Sequence, residues 1–174
     1  PWRRSLHILH HLERPTFAMA LAALVREITA VNRQLADIPR RLFERWKLST
    51  DEFEGVAKLL GEEPLIRQAS RVPWPRLQRV LVAPRIEELL GYCHAVASVL
   101  DGTTEEIDLC RDKLAQPVDQ LNPPPLITGA DLKPLGIPPG PAYREILSAV
   151  RDAQLDHQIT TRDEAVLLAK RLSP

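Results

Sequence analysis

The chain has 174 residues, which suits one domain or two small ones, and its 23 basic and 23 acidic residues cancel, so the total charge favours no class of partner. No apolar run approaches the roughly 18–20 residues of a membrane span and no signal peptide is visible, so no membrane partner is predicted. With 5% aromatic residues and seven glycines, the aliphatic bias favours helices over a β-sandwich or barrel.

The first third of the chain is predicted to be helical. Apolar periodicity predicts helices over residues 5–13, 17–35 and 40–47. In the first of these, Leu6, Leu9 and Leu12 mark the expected buried face, and in the third Trp46 is expected on the buried side. Trp2 is likewise expected to pack as a partly buried anchor.

Local start and stop signals predict the helices that follow. Ser49 and Glu52 have the spacing of a capping box, and Gly61 is predicted to end the helix that they begin. Further helices are predicted over about 64–70, 75–82, 84–100 and from Thr103 or Thr104 onward.

A proline-rich segment and a compact unit follow. Residues 121–126, LNPPPL, predict a stiff extended connector, because three consecutive prolines suit neither a helix nor an inner strand. Beyond it, a one-turn helix is expected to end at Gly136, and Pro141 suits the first position of a helix that runs to about residue 155. Thr161 and Glu164 form a second capping-box signal, for a final helix that runs to residue 172.

The charges are unevenly distributed. Residues 1–50 hold nine Lys/Arg and four Asp/Glu, whereas residues 86–125 hold two and eight. A basic and an acidic end are therefore predicted. Cys93 and Cys110 fit no metal pattern and no CxxC motif, and two unpaired thiols suit a reducing cytoplasm, where the protein is predicted to reside.

The segment 126–172 carries three motifs in order. They are T-G-x-D-L (Thr128, Gly129, Asp131, Leu132), G-x-x-P-G-P (Gly136, Pro139, Gly140, Pro141) and T-x-x-E-A (Thr161, Glu164, Ala165). This order and spacing resemble the tail of bacterial CCA-adding enzymes and poly(A) polymerases. The segments 40–60 and 72–90 resemble the helical body of that family, and 2–28 resembles the start of an HD-type helical region found in some relatives.

The resemblance also identifies what has been lost. The HD metal ligands, a His, a His-Asp pair and a later Asp, fall on Arg4, Arg26-Glu27 and Val96. Arginine has no acceptor and valine no lone pair, so one carboxylate remains and HD hydrolase activity is predicted to be absent. The G-S turn and D-x-D pair of the family's nucleotidyltransferase head are absent too, as expected of a fragment or headless relative. No catalytic residue, metal or cofactor is predicted.

Arginines mark the candidate RNA-binding surface. The predicted contacts are Arg40, Arg41, Arg45, Lys47, Arg76 and Arg79. Arginine binds phosphates through a planar fork of donors, and structured RNA is held mainly through its backbone. Composition alone favours arginines that solvate helices and pair with Glu44, Glu62 or Glu63, whereas the resemblance favours RNA, with tRNA as the specific expectation.

Two smaller patterns favour structural roles. His7, His10 and His11 form an HxxHH pattern, but only Glu13 is spaced to complete a metal site, so a solvated polar face is favoured. The amides after Gly140 would suit a phosphate, but the following proline removes a donor and turn chemistry is favoured.

These observations predict an all-α fold, an irregular multi-helix array with a small helical tail. The predicted divisions are a degenerate HD-like and RNA-binding body over 1–120, a connector over 121–126 and a tail over 127–174. The predicted role is to hold RNA for a nucleotidyltransferase head that this chain lacks. The alternative is a protein-interaction or homo-oligomerisation module with no RNA role.

Overall fold

The computed structural model describes residues 2–31, 44–136 and 140–173, except for the side chains of residues 28–31. The described residues form helices and no strand, so the all-α prediction is confirmed. The α-helices whose two ends lie within the described residues are α1 (Trp2–His11), α2 (Phe17–Val31), α3 (Thr50–Ile66), α4 (Trp74–Leu81), α5 (Ile86–Leu100), α6 (Glu105–Leu114), α7 (Val118–Leu121), α8 (Gly129–Leu132), α9 (Pro141–Leu155) and α10 (Arg162–Leu172). Among them, none combines the length and apolar character that a membrane crossing requires.

The backbone folds into two compact units. The body unit contains Pro1–Val72 and Val80–Ala115, and the tail unit contains Pro73–Arg79 and Gln116–Pro174. The first six residues of α4 therefore belong to the tail unit, together with the proline-rich segment 121–126.

In the body unit, α1 packs against α2 and α5, α2 packs against α3, and α3 packs against α5. The buried side chains of α1 are Ser5 and Ile8, and Leu12 is buried just beyond its end, whereas Leu6 is 43% exposed. The prediction that Leu6 marks the buried face is wrong because the small Ser5 side chain turns inward and donates to the Leu24 carbonyl of α2.

Helix α3 begins as predicted and ends later. The Ser49 hydroxyl accepts from the Glu52 amide, and the Glu52 carboxylate accepts from the Ser49 amide, which completes the capping box. The predicted stop at Gly61 is wrong, because the helix continues through Gly61 and Pro64 to Ile66. Both of these residues are exposed, while the buried side chains of α3 continue along its inner face beyond them.

Two tryptophans lie on the surface. Trp2 is 61% exposed and Trp46 is 53% exposed, so neither is the packed anchor that the sequence predicted. Trp2 lies in the first turn of α1, ahead of the residues that face the core. Both indole rings are therefore available to a partner.

The tail unit has its own small core beneath α8, α9 and α10. Its buried members are Ile127, Leu132, Ile146, Val150, Ala165 and Ala169. Residues 123–125 have no regular secondary structure, as the three prolines predict. The Gln154 amide of α9 donates to the Pro124 carbonyl at 2.8 Å, which fixes this segment to the tail unit.

Candidate nucleic-acid interface

Three of the four positions that the resemblance aligns with HD metal ligands, Arg4, Arg26 and Glu27, meet in the body unit. The Arg26 guanidinium donates to Glu27 Oε1 at 2.9 Å, and Arg4 Nη1 lies 3.8 Å from Glu27 Oε2. The Glu27 side chain is 8% exposed, and that of Arg4 is 68% exposed. Each oxygen of this carboxylate therefore faces a guanidinium.

The same guanidinium connects to a second buried carboxylate. Arg26 donates through Nε and Nη2 to the two oxygens of Glu63, at 3.3 and 3.0 Å. Arg67 donates to Glu63 Oε1 at 2.7 Å and also pairs with Asp101. Burial acts to lower the pKa of Arg67, but its hydrogen bonds to Asp101 and Glu63 prevail and raise that pKa. We call Arg4, Glu27, Arg26, Glu63, Arg67 and Asp101 the charge chain.

The guanidinium groups of the charge chain would compete with a metal ion for the carboxylate oxygens of Glu27 and Glu63. Carboxylate lone pairs that accept hydrogen bonds from arginine are not free to coordinate a cation. The fourth aligned position, Val96, is fully buried and offers no ligand. Among the described residues, no group of three or more His, Cys, Asp or Glu side chains is arranged to hold a metal.

The two cysteine thiols, which are potential nucleophiles, lie in the core of the body unit. Cys93 and Cys110 are buried free thiols. Burial raises the pKa of Cys93 well above its ordinary value and that of Cys110 to about 11. Burial, with the nearby Glu63 carboxylate, also raises the pKa of Tyr92. These groups are protonated at neutral pH, and a protonated thiol is a weak nucleophile.

The predicted RNA contacts fall into two groups. Arg40 and Arg41 lie outside the described residues. Arg45 and Lys47 are exposed in the body unit, and among the described residues neither makes a hydrogen bond or an ion pair. Lys47 has a φ of 52°, in the left-handed region, just after the helical residues 44–46.

Arg76 and Arg79 lie on the part of α4 that belongs to the tail unit. Arg76 is exposed, and its side chain makes no hydrogen bond or ion pair within the described ranges. Arg79 pairs with Asp152 of α9 and donates to Ser148 Oγ at 3.1 Å. The pair of Arg79 and Asp152 is close to half exposed on both sides, so a phosphate can still reach this guanidinium.

Other arginines satisfy neighbouring acids. Arg85 donates to both carboxylate oxygens of Glu88, at 2.6 and 3.1 Å, and these hydrogen bonds raise the pKa of Arg85. Arg67 belongs to the charge chain. Ion pairs within the body unit therefore neutralise the charges of Arg85 and Arg67. The exposed histidines of α1 make local contacts, since the His11 ring lies 2.8 Å from the His7 carbonyl.

The first tail motif builds a helix start. Thr128 and Asp131 form a complete capping box around α8, and Asp131 also accepts from Arg162 at 2.6 Å. Hydrogen bonds from Arg162 and Thr128 lower the pKa of Asp131 to about 2. Leu132 is fully buried. The T-G-x-D-L residues therefore fix the fold of the tail.

The G-x-x-P-G-P and T-x-x-E-A motifs also fix the fold of the tail. Gly136 has a φ of 77°, which a side chain would strain, and Pro141 occupies the first turn of α9. Thr161 and Glu164 complete the capping box of α10, and Ala165 is fully buried. These motifs are signals for folding, and the helix starts that they predict are confirmed.

One further guanidinium was missed in the sequence. Arg151 of α9 donates to Gln154 Oε1 at 2.9 Å and to Asn122 Oδ1 at 2.8 Å. Both acceptors are neutral amides, and among the described residues Arg151 contacts no carboxylate. The only signal in the sequence is its position three residues, about one helical turn, after Ser148.

Comparison with known proteins gives one short match. A segment of 47 residues is 55% identical to the A-adding tRNA nucleotidyltransferase of Geobacter sulfurreducens, over 27% of this chain and 5% of that protein. The match supports a loose relationship to that family. Neither a protein-family model nor a solved structure matches the chain.

Proposed function

We propose that this chain is a non-catalytic RNA-binding region, which holds tRNA for a nucleotidyltransferase head that its own sequence does not contain. The observation that carries the proposal is the segment of 47 residues that is 55% identical to an A-adding tRNA nucleotidyltransferase. The matched segment covers a small part of that protein. The RNA-holding role therefore rests on this relationship together with the surface of the described residues.

Exposed cations support an RNA partner. Arg45 and Lys47 in the body unit and Arg76 in the tail unit are exposed and have no acidic partner within the described ranges. Cations that protein carboxylates do not neutralise are the ones that release counterions from RNA. The equal numbers of acidic and basic residues in the whole chain imply modest affinity that weakens with salt.

The charge chain supports the non-catalytic part of the proposal. Glu27, the one carboxylate that remains at the aligned HD positions, has guanidinium partners on both oxygens. The buried thiols have raised pKa values and are poor nucleophiles. The chemistry would then belong to the head, and the contribution of this chain would be to position the RNA.

The first experiment is a titration of fluorescently labelled, unmodified tRNA with the whole chain, followed by anisotropy at several salt concentrations. We expect a Kd of about 1–100 μM at low salt that weakens as salt rises. The double variant R45Q/K47Q should weaken binding and reduce the salt dependence. The double variant E54Q/E87Q, which removes two exposed negative charges from the body unit, changes the net charge in the opposite direction and should not weaken binding. No binding at low salt would contradict the proposal.

A second function, protein interaction without RNA, has an observation of its own. Trp2, Trp46 and Phe17 are each more than half exposed in the body unit. Exposed aromatic side chains are typical anchors of protein interfaces. Sedimentation velocity without RNA tests this function. A concentration-dependent increase in size that W2A or W46A abolishes, together with no tRNA binding, would favour it over the RNA-holding role.

A further inference from the structure

Arg151 carries a charge that no described carboxylate neutralises. Its guanidinium has five N–H donors, and the two hydrogen bonds to Asn122 and Gln154 leave three donors for a ligand. The side chain is half-buried, so the charge is partly removed from water. Partly desolvated cations bind anions more strongly than fully hydrated ones.

The two amide acceptors are themselves fixed. Asn122 Oδ1 also accepts from Gln78 Nε2 at 3.0 Å, and Gln154 Nε2 donates to the Pro124 carbonyl at 2.8 Å. The guanidinium plane of Arg151 is therefore held in place without being neutralised. A held fork loses less conformational entropy when it binds than a free side chain does.

A second guanidinium lies close by, because Arg79 donates at 3.1 Å to Ser148 Oγ, one helical turn before Arg151 on α9. Burial lowers the pKa of Arg151, and the positive charge of Arg79 lowers it further. Arg79 stands one helical turn from the exposed Arg76. Within the part of the chain that the structure describes, Arg79 alone among these three arginines has a carboxylate partner, Asp152. The four side chains have a net charge of +2, from three positive charges and one negative charge.

We propose that Arg151, together with Arg79 and Arg76, forms a binding site for a phosphate group on the tail unit. Resting on the proposed function, the inference assigns this phosphate to the RNA backbone, because a planar guanidinium fork matches the geometry of a phosphate group. A free phosphate ion has the same chemistry and is the other source to be distinguished.

The competing explanation is that Arg151 only anchors the proline-rich segment. The hydrogen bonds from Arg151 to Asn122 and Gln154 would suffice for that role. The two explanations differ in the importance of charge, because an anchor needs hydrogen bonds whereas an anion site needs a cation. A lysine at this position keeps the charge and loses the fork.

The test compares the tRNA affinity of R151Q, R151K and R171Q in the whole chain across a salt series. Arg171 is an exposed arginine at the end of α10 whose side chain makes no hydrogen bond or ion pair among the described residues, so R171Q is the charge-matched control. We expect R151Q to bind about tenfold more weakly at about 50 mM salt, with a salt slope smaller by about one. R151K should keep most of the slope, and R171Q should resemble the unmodified chain.

Three results would overturn the site while leaving the proposed function intact. In the first, R151Q and R171Q bind tRNA equally well. In the second, R151Q and R151K lose affinity equally with unchanged slopes, which would assign an anchoring role. In the third, circular dichroism shows that R151Q is unfolded and R151K is folded, and the tRNA affinity of R151K has lost the salt dependence that the site predicts.

A separate measurement covers the case in which the chain binds no tRNA. The NMR signal of the Arg151 Nε–Hε group, assigned by its absence in R151K, is followed as inorganic phosphate replaces chloride at constant ionic strength. A saturable shift would support the phosphate site with a free anion as its source, even though the proposed function had failed. The absence of a shift, together with no RNA binding, would overturn the site.

Discussion

The body unit and the tail unit hold their helices in place by different means. In the body unit, the charge chain runs from Arg4 to Asp101 and joins side chains that are distant in sequence. In the tail unit, the distant ion pairs, such as that of Arg79 with Asp152, are more exposed than the pairs of Glu63 in the body. Capping boxes, the left-handed Gly136 and Pro141 act there within a few residues of each other. The body is therefore sensitive to the loss of one charged partner, and the tail is sensitive to the loss of a local turn or cap.

The largest effect is expected from E63A in the body. Removing this carboxylate leaves the Arg26 and Arg67 guanidinium groups without their shared buried partner. The cost is expected to be about 3–5 kcal/mol of unfolding free energy. Urea unfolding, monitored by the exposure of the Cys93 and Cys110 thiols, measures it in the body unit. E54A, at an exposed position of the same helix, is the control, and equal losses in the two variants would contradict the role of the charge chain.

Two glycine substitutions should have opposite signs. G136A forces a side chain into a φ of 77° and should destabilise the tail by about 1–2 kcal/mol. G61A places a methyl group in an exposed part of α3 where no heavy atom lies within 4 Å, and should stabilise the body by about 0.5–1 kcal/mol. Thermal unfolding of both variants checks the pair. Destabilisation by G61A would contradict the helix through this position.

T161A should cost the tail about 1 kcal/mol, because it removes the hydroxyl that caps the Glu164 amide. T160A is the matched control, since the neighbouring Thr160 bonds Glu164 mainly through its backbone amide at 2.8 Å. Amide hydrogen exchange at Ile146 and Val150 reports on the tail core. A similar loss of protection in both variants would contradict the stabilisation of α10 by the Thr161 hydroxyl.

The smallest effect on stability is expected when the pH is lowered below about 4. The pKa of Asp131 is about 2 in the folded tail and 3.8 in its ordinary state, so its carboxylate favours folding above pH 3.8. This contribution is lost as the pH falls from about 4 towards 2, when the carboxylate becomes protonated. Hydrogen exchange in the tail should show the loss in the unmodified chain and a flatter pH profile in D131N. Identical profiles would contradict the assignment.

The sequence predicts helix starts better than helix ends. The two partners of a capping box lie three residues apart, so both can be recognised in the sequence, as for Ser49 with Glu52 and for Thr161 with Glu164. The continuation of α3 through Gly61 is decided by burial against other helices, which no local pattern reveals. The exposure of Trp2 and Trp46 is another outcome of long-range packing.

Local sequence patterns also fail to predict the long-range contacts of the candidate site. The aligned positions Arg4, Arg26 and Glu27 could be identified by resemblance, and the structure brings them together. The bond between Arg26 and Glu63 spans 37 residues, and the bond between Arg79 and Asp152 spans 73, so neither partner could be chosen from sequence. Arg151 is distinguished because its guanidinium binds two neutral amides and pairs with no described carboxylate, and that is a property of the folded tail.

The central claim is that the chain holds RNA in particular. The most direct measurement is displacement of labelled tRNA from the whole chain by unlabelled tRNA and by polyglutamate, compared at equal total negative charge. The account predicts that tRNA displaces the label at a concentration at least about tenfold lower, because the arginine forks match the geometry of phosphate in structured RNA. Equal displacement by the two polyanions would contradict an RNA-holding role.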